Sequence, residues 1–131
     1  MTERNDVMIY YKPITDVTEL KELFPNENFD ENFIYGGYIG LAQDGANVGK
    51  IFMKVCRTKC YISSLECDVS DNLLVEGFIR ASLNFCANRN AYMAYSKDER
   101  IKNVLLLLGF EEENGVYSGD IPTLLKGSCC K

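Results

Sequence analysis

Two carboxylates at the end of a predicted strand are the first candidates for chemistry in this sequence. Glu66 and Asp68 close the strand predicted over residues 59–68, and strict alternation would place them on one face with Ile62 and Ser64. A carboxylate beside a reacting group can accept its proton as a general base. If that face lines a cleft, we expect Glu66 to be the catalytic base. A pair of solvated strand-end carboxylates is the alternative.

Two tyrosines in the next predicted strand, residues 91–95, are candidates for the opposite role. The phenolic hydroxyls of Tyr92 and Tyr95 can donate a proton. We take Tyr95, at the end of the strand, as the candidate general acid. Packing in the core is the alternative for both, because aromatic side chains on central strands usually fill the interior.

The cysteines lack the spacing of a metal site. Cys56 and Cys60 flank a three-residue turn, and Cys129 and Cys130 lie together in the tail of a chain that contains no histidine. Structural zinc sites usually bring two cysteines together with a two-residue spacer. We therefore expect no metal, and we interpret the cysteines as reduced thiols, with the terminal pair open to oxidation.

Length and composition predict one globular domain over residues 1–131. Hydrophobic residues make up 47% of the chain and charged residues 25%, which is typical of folded proteins. The net charge of -5 argues against nucleic acid and anionic membranes as partners. Only a short apolar run, residues 7–11, follows the polar start, so we expect no secretory signal and a cytoplasmic location.

The first third of the chain predicts one strand and two helices. Residues 7–11 have the composition of a strand. Asp16 and Glu19 form a capping box for a short amphipathic helix that Pro25 stops. A weaker helical pattern follows over residues 29–35.

The middle of the chain changes to a strand pattern and then to a long helix. Strands are predicted over residues 38–43, 47–55 and 59–68, which turns join into an antiparallel meander. A broad apolar face predicts a helix over residues 72–90. The strand after it, residues 91–95, completes a parallel crossover within an otherwise antiparallel sheet.

The last part predicts one more helix and a hairpin. Ser96 and Glu99 form a second capping box, and the helix that they open ends at Gly109. An Asn-Gly pair favours the tight turn of a hairpin. The hairpin strands and the tail without a clear period are residues 110–113, 116–121 and 122–131.

This order, and a Leu-Gly-Phe step at residues 108–110, resemble the GNAT superfamily of N-acyltransferases over nearly the whole chain. The resemblance implies an α+β fold with a mixed sheet and the order strand, helix, helix, three strands, helix, strand, helix, two strands. In that family the fourth and fifth strands splay apart and hold acyl-coenzyme A. The resemblance therefore implies acetyl-CoA or another acyl-CoA as the cofactor.

The resemblance also implies where the coenzyme would bind. The family binds pyrophosphate where the helix after the fourth strand begins, with a pattern of Arg or Gln, two residues, Gly, one residue, and Gly or Ala. Residues 72–77 of this chain keep only Gly77 of that pattern, and Asn72 stands in place of the donor. The implied contacts are Asn72 and Gly77 at the phosphates, the backbone of Leu65 and Cys67 at the pantetheine, and Arg100 at the coenzyme.

The family's catalytic tyrosine, four residues before the glycine of the Leu-Gly-Phe step, is Leu105 here. Arg100 replaces the asparagine often found nine residues before that glycine. The resemblance then leaves Glu66 and Tyr95 for proton transfer. Two functions remain open: an N-acyltransferase acting on a small-molecule or peptide amine, and a catalytically inactive GNAT-fold binding or regulatory module. The sequence leaves the oligomeric state open.

Overall fold

A seven-stranded mixed sheet is the centre of the computed structural model, which describes residues 8–127. The elements in chain order are β1 (Tyr10–Ile14), α1 (Val17–Leu23), β2 (Ile34–Leu41), β3 (Asn47–Cys56), β4 (Lys59–Cys67), α2 (Asn72–Ala87), β5 (Met93–Ser96), a 3-10 turn (Glu99–Ile101), α3 (Lys102–Leu108), β6 (Glu111–Glu113), β7 (Val116–Asp120) and α4 (Ile121–Gly127). The strands lie side by side in the order β1-β2-β3-β4-β5-β7-β6. Among the described strands, β4 and β5 form the single parallel pair.

The two faces of the sheet are covered by different helices. On one face, α2 buries an apolar stripe against β3 and β4, and Phe78, Ile79 and Leu83 are fully buried there. On the other face, α1 packs Leu20 against Phe52 in a smaller cluster. Burial of these apolar stripes is the main favourable contribution to folding. The sheet is therefore held between two layers that fix the position of β4.

The predicted α+β class, the meander, the parallel crossover and the final hairpin are all confirmed. Asp16 caps α1 as predicted, because its carboxylate accepts the Glu19 N–H at 3.0 Å. Asn114 and Gly115 have φ angles of 55° and 82°, as the tight hairpin turn requires. Local turn and cap chemistry therefore sets these boundaries.

The helix predicted over residues 29–35 is wrong. The segment forms a turn, in which Asn32 N–H donates to Asp30 at 2.9 Å, and the chain enters β2 at Ile34. The rings of Phe29 and Tyr35 both pack on Phe52 of β3, with centroids 5.5 and 5.8 Å away. This aromatic packing on the sheet overrides the helical pattern.

Two further predictions near the C-terminus need correction. Ser96 and Glu99 do not form a capping box, since Asp98 caps the 3-10 turn by accepting the Arg100 N–H at 3.1 Å. The aperiodic tail begins with a helix, α4, which buries Ile121 and Leu124. Within residues 8–127, no helix is long and apolar enough to cross a membrane.

Candidate functional site

A cleft opens where β4 and β5 part. The parallel pairing runs from Lys59 beside Met93 to Ile62 beside Ser96, where β5 ends, while β4 continues to Cys67. The cleft has a volume of about 510 Å³. Its walls come from the loop after α1, from β3, β4, β5 and β7, and from the segment after β5. The lining residues are Glu27, Lys54, Tyr61, Ile62, Ser63, Ser64, Leu65, Tyr95, Ser96, Lys97, Asp98, Arg100 and Val116.

A bulge in β4 shapes this opening. Ser63 pairs with Phe52 and Glu66 pairs with Lys50, so two residues of β4 oppose one residue of β3. Ser64 lies in the bulge with a φ of 53°, a left-handed conformation that is unusual for a residue other than glycine. A bulge of this kind bends the strand and redirects its side chains.

The bulge overturns the predicted alternation along β4. Ile62 and Leu65 are both buried in the core under α2, although they are three residues apart. Glu66 pairs instead with Lys50, whose Nζ lies 3.8 Å from its carboxylate and also donates to the Leu23 carbonyl of α1 at 2.6 Å. Glu66 therefore does not share a face with Ile62. Its side chain is 70% exposed, and it is not among the residues that line the cleft.

Two carboxylates line the cleft, Asp98 and Glu27, and the sequence did not single out Glu27. The Ser63 hydroxyl donates to its Oε2 at 2.7 Å, and the Ser64 hydroxyl donates to the same oxygen. A turn after α1, closed by the Glu27 N–H on the Phe24 carbonyl at 3.1 Å, presents the residue. The contact joins segments more than 30 residues apart, so no local sequence pattern predicts it.

Tyr95 lies in the cleft together with a second tyrosine. Tyr61 and Tyr95 are register partners on β4 and β5, and their rings stack with centroids 5.4 Å apart. Both side chains are half-buried and line the cleft. Tyr92 is 55% exposed and is not among the lining residues.

Arg100 spans the open end of the cleft. Its Nη2 donates to the Leu65 carbonyl of β4 at 2.7 Å and to Asp98 Oδ2 at 2.6 Å, while Nε donates to Asp98 Oδ1 at 2.9 Å. The hydrogen bonding of the Arg100 guanidinium to the Asp98 carboxylate, which accepts, raises the pKa of the guanidinium. The Leu65 carbonyl, one of the backbone groups expected at a pantetheine, is thus already bonded to a side chain of this chain.

Two acidic side chains lie at the start of α2, and Asp71 caps the helix. Asp71 is the N-cap of the helix, and its carboxylate accepts the Leu74 N–H at 3.2 Å. Asp68 accepts from the backbone N–H and the hydroxyl of Ser70 at 3.1 and 2.6 Å. Asn72 is the first residue of the helix. The Leu74 N–H, one of the groups that can bind an anion at a helix start, is therefore paired with a carboxylate.

Gly77 faces β1. A Cβ added there would lie 1.9 Å from the Tyr11 hydroxyl oxygen, which donates to the Leu74 carbonyl at 3.2 Å. The crossing of Tyr11 over α2 therefore accounts for glycine at this position without a phosphate. Leu105, at the position of the family's tyrosine, is fully buried in the core.

Cys67 is half-buried at the end of β4 and packs against the core under α2. Burial raises the pKa of its thiol to about 11, so the sulfur is protonated at neutral pH. Within residues 8–127, no three Cys, Asp or Glu side chains form a group that could hold a metal ion. Cys129 and Cys130 lie outside the described residues.

No protein-family model and no curated protein sequence matches the chain. Among solved structures, it is similar to the GNAT family N-acetyltransferase YhbS from Escherichia coli in complex with CoA, with a TM-score of 0.58, 11% identity, and coverage of 92% of this chain and 85% of that one.

An N-acetyltransferase from Staphylococcus aureus Mu50 gives a TM-score of 0.57 at 16% identity, covering 88% of this chain and 98% of that one. Mutant forms of the spermidine/spermine N-acetyltransferase SpeG from Vibrio cholerae give 0.57 at 11% identity, covering 84% of this chain and 78% of that one. At such identities the likeness concerns the fold. The chain therefore has the GNAT fold, with a sequence only 11% to 16% identical to these structures.

Proposed function

We propose that the chain is an acyl-CoA-dependent N-acyltransferase whose chemistry takes place in the cleft between β4 and β5. The observation that carries the proposal is the Glu27 carboxylate, held by two serine hydroxyls of β4 inside that cleft. A similar fold binds CoA in the Escherichia coli neighbour, which supports a coenzyme ligand for this one.

The unpaired edge of β4 is the feature that fits an acyl-CoA. Beyond Ile62 the strand has no β5 partner, so its backbone groups can pair with an extended ligand as they would with another strand. The pantetheine arm carries amide groups of the required kind. The backbone of Leu65 and Cys67 would hold it, and its thioester would supply the acyl group.

Glu27 is the residue that we assign as proton acceptor. An ionised carboxylate accepts hydrogen bonds only, and the two serine hydroxyls fix Glu27 at the edge of the cleft. When the amine nitrogen bonds to the acyl carbon and the carbon–sulfur bond breaks, Glu27 takes the proton from nitrogen. The departing sulfur takes a proton from Tyr95, which lines the same cleft.

Glu66 fits this role less well. Its exposed side chain is drawn toward Lys50, and it would have to leave that ion pair and cross to the cleft. The acceptor is a small-molecule or peptide amine in this proposal, since the N–H of a neutral amine can donate to the Glu27 carboxylate and the stacked Tyr61 and Tyr95 give the cleft an apolar wall.

A binding or regulatory module without catalysis is the second candidate. It is favoured by Leu105, which is packed in the core where the family has its tyrosine. It is also favoured by Asp71, whose carboxylate accepts a hydrogen bond from an N–H group at the start of α2. In that case the cleft would hold a ligand and leave it unchanged.

The first test asks whether the protein binds the coenzyme. A ligand that binds only the folded state raises the melting temperature. At a concentration one hundred times its Kd, acetyl-CoA would raise the Tm of a chain of this length by roughly 10 °C. An unchanged Tm at millimolar acetyl-CoA contradicts both the coenzyme site and the transferase.

The second test separates the two candidate functions. Acyl transfer to a panel of primary amines and amino-terminal peptides is followed by mass spectrometry for the wild type, Glu27→Gln and the matched control Glu66→Gln. We expect Glu27→Gln to lower the rate by a factor of about 10² to 10⁴ while its Tm still responds to acetyl-CoA, and Glu66→Gln to remain near the wild-type rate.

A loss confined to Glu66→Gln would instead identify that residue as the base. Coenzyme binding with no transfer to any amine of the panel would favour the module without catalysis.

A further inference from the structure

One side chain bridges the two strands at the place where they part. We call the bonded set of Arg100, Asp98 and the Leu65 carbonyl the strap. Asp98 holds the guanidinium at two nitrogens, at 2.6 and 2.9 Å, and the guanidinium reaches Leu65 at 2.7 Å. Asp98 is two residues beyond the end of β5. Leu65 is three residues beyond Ile62, the last residue of β4 that pairs with β5.

The strap occupies the edge that an extended ligand needs. The Leu65 carbonyl points from β4 toward the segment after β5, since Arg100 reaches it from there. Arg100 and Leu65 both line the cleft. A ligand amide that donates to this carbonyl would meet the guanidinium along the same approach.

We propose that the strap is an autoinhibitory contact that must open before acyl-CoA can lie along β4. This inference rests on the proposed function. The contact with Leu65 is the part that opens. It is a single hydrogen bond to a neutral carbonyl, whereas Asp98 holds the guanidinium through two charge-assisted bonds. The Arg100 side chain is 53% exposed, so water can replace the carbonyl when the side chain turns outward.

A closed strap weakens the binding of acyl-CoA. If the open state is a fraction of the molecules, the apparent Kd is the intrinsic Kd divided by that fraction. Removing the guanidinium leaves every molecule open and tightens binding. An open fraction of about one tenth corresponds to a tenfold gain, or ~1.4 kcal/mol.

The test compares Arg100→Ala with the wild type by calorimetric titration, using CoA and, separately, pantetheine, which carries no phosphate. Lys97→Ala is the matched control, because Lys97 lines the same cleft and loses the same charge without touching the strap. We expect Arg100→Ala to bind both ligands about tenfold more tightly, and Lys97→Ala to tighten neither.

Weaker CoA binding by Arg100→Ala with unchanged pantetheine binding would overturn the strap and make Arg100 a phosphate ligand. Equal affinities of Arg100→Ala and the wild type for both ligands would overturn it as well.

A measurement without ligand keeps the strap testable if the coenzyme site itself fails. Nitrogen-15 NMR should show a separate, slowly exchanging guanidinium signal for Arg100 in the wild type. An Arg100 signal averaged with those of freely rotating arginines would overturn the strap. A protected signal combined with no CoA binding by either protein would refute the proposed function and the inhibitory role, while the bridge itself would stand as structural.

Discussion

Gly77→Ala tests whether this glycine serves a phosphate or the packing of β1 on α2. The added Cβ would lie 1.9 Å from the Tyr11 hydroxyl oxygen and 2.4 Å from the ring carbon that bears it. Real contacts of a Cβ are never so short, so the ring must move away. Its hydrogen bond to the Leu74 carbonyl, 3.2 Å long, and its edge contact with Phe78, centroids 5.0 Å apart, would both change.

The size of the effect follows from three contributions. Overpacking a formed interface costs about 1–3 kcal/mol, and loss of the Tyr11 hydrogen bond costs about 1 kcal/mol. Alanine in a helix interior is favoured over glycine by about 1 kcal/mol. Gly77→Ala should therefore lower the free energy of unfolding by about 1–3 kcal/mol, which lowers the Tm of this chain by roughly 4–10 °C.

A double-mutant cycle with Tyr11→Ala isolates the cause. Without the Tyr11 ring, the same Gly77→Ala change should stabilise the protein by about 1 kcal/mol, because only the helix preference remains. Urea unfolding of the four proteins without ligand measures both steps. If Gly77→Ala is neutral or stabilising in the wild-type background, the packing explanation is refuted. The result would then favour the phosphate-binding role predicted for Gly77.

Three further predictions concern single contacts. Burial raises the pKa of Tyr11 to about 12 from its usual 10. The unfolded chain therefore loses this proton at a lower pH than the folded protein, and the free energy of unfolding should fall as pH rises from 10 to 12. Tyr11→Phe should make this fall smaller when it is measured by urea unfolding. Gly109→Ala, at a φ of 114° after α3, should lower the free energy of unfolding by about 1 kcal/mol, and an unchanged denaturation midpoint would contradict it. Asp71→Ala removes the cap of α2 and should lower the free energy of unfolding by about 1 kcal/mol; a rise in thermal stability would show that the carboxylate does not cap the helix.

The parts of the fold that the sequence predicts are those governed by neighbouring residues. The cap at Asp16 and the turn at Asn114-Gly115 follow from a few adjacent side chains. The parallel step from β4 to β5 follows from a long helix between two strands. The segment over residues 29–35 fails because its aromatic rings find their partner in β3, which local pattern cannot show.

The candidate site was harder to predict because it depends on one backbone irregularity. Alternation gives the correct face up to Ile62, and the left-handed Ser64 then shifts every later side chain of β4. That shift turns Glu66 away from the face of Ile62 and pairs it with Lys50, while Ser63 and the bulged Ser64 both donate to Glu27. A bulge at a residue other than glycine leaves no clear mark in a single sequence.

Leu105→Tyr addresses whether the missing catalytic tyrosine can be restored by one change. Leu105 is fully buried among core side chains, so a tyrosine there would overpack the core and bury a hydroxyl that needs a partner. The two effects together should lower the free energy of unfolding by about 2–5 kcal/mol. Because the surrounding core is packed for leucine, the variant should gain no transferase activity over the wild type. A stable Leu105→Tyr protein with faster acyl transfer would show that the hydroxyl can reach the cleft. That result would contradict the assignment of Tyr95 as the proton donor to the departing sulfur.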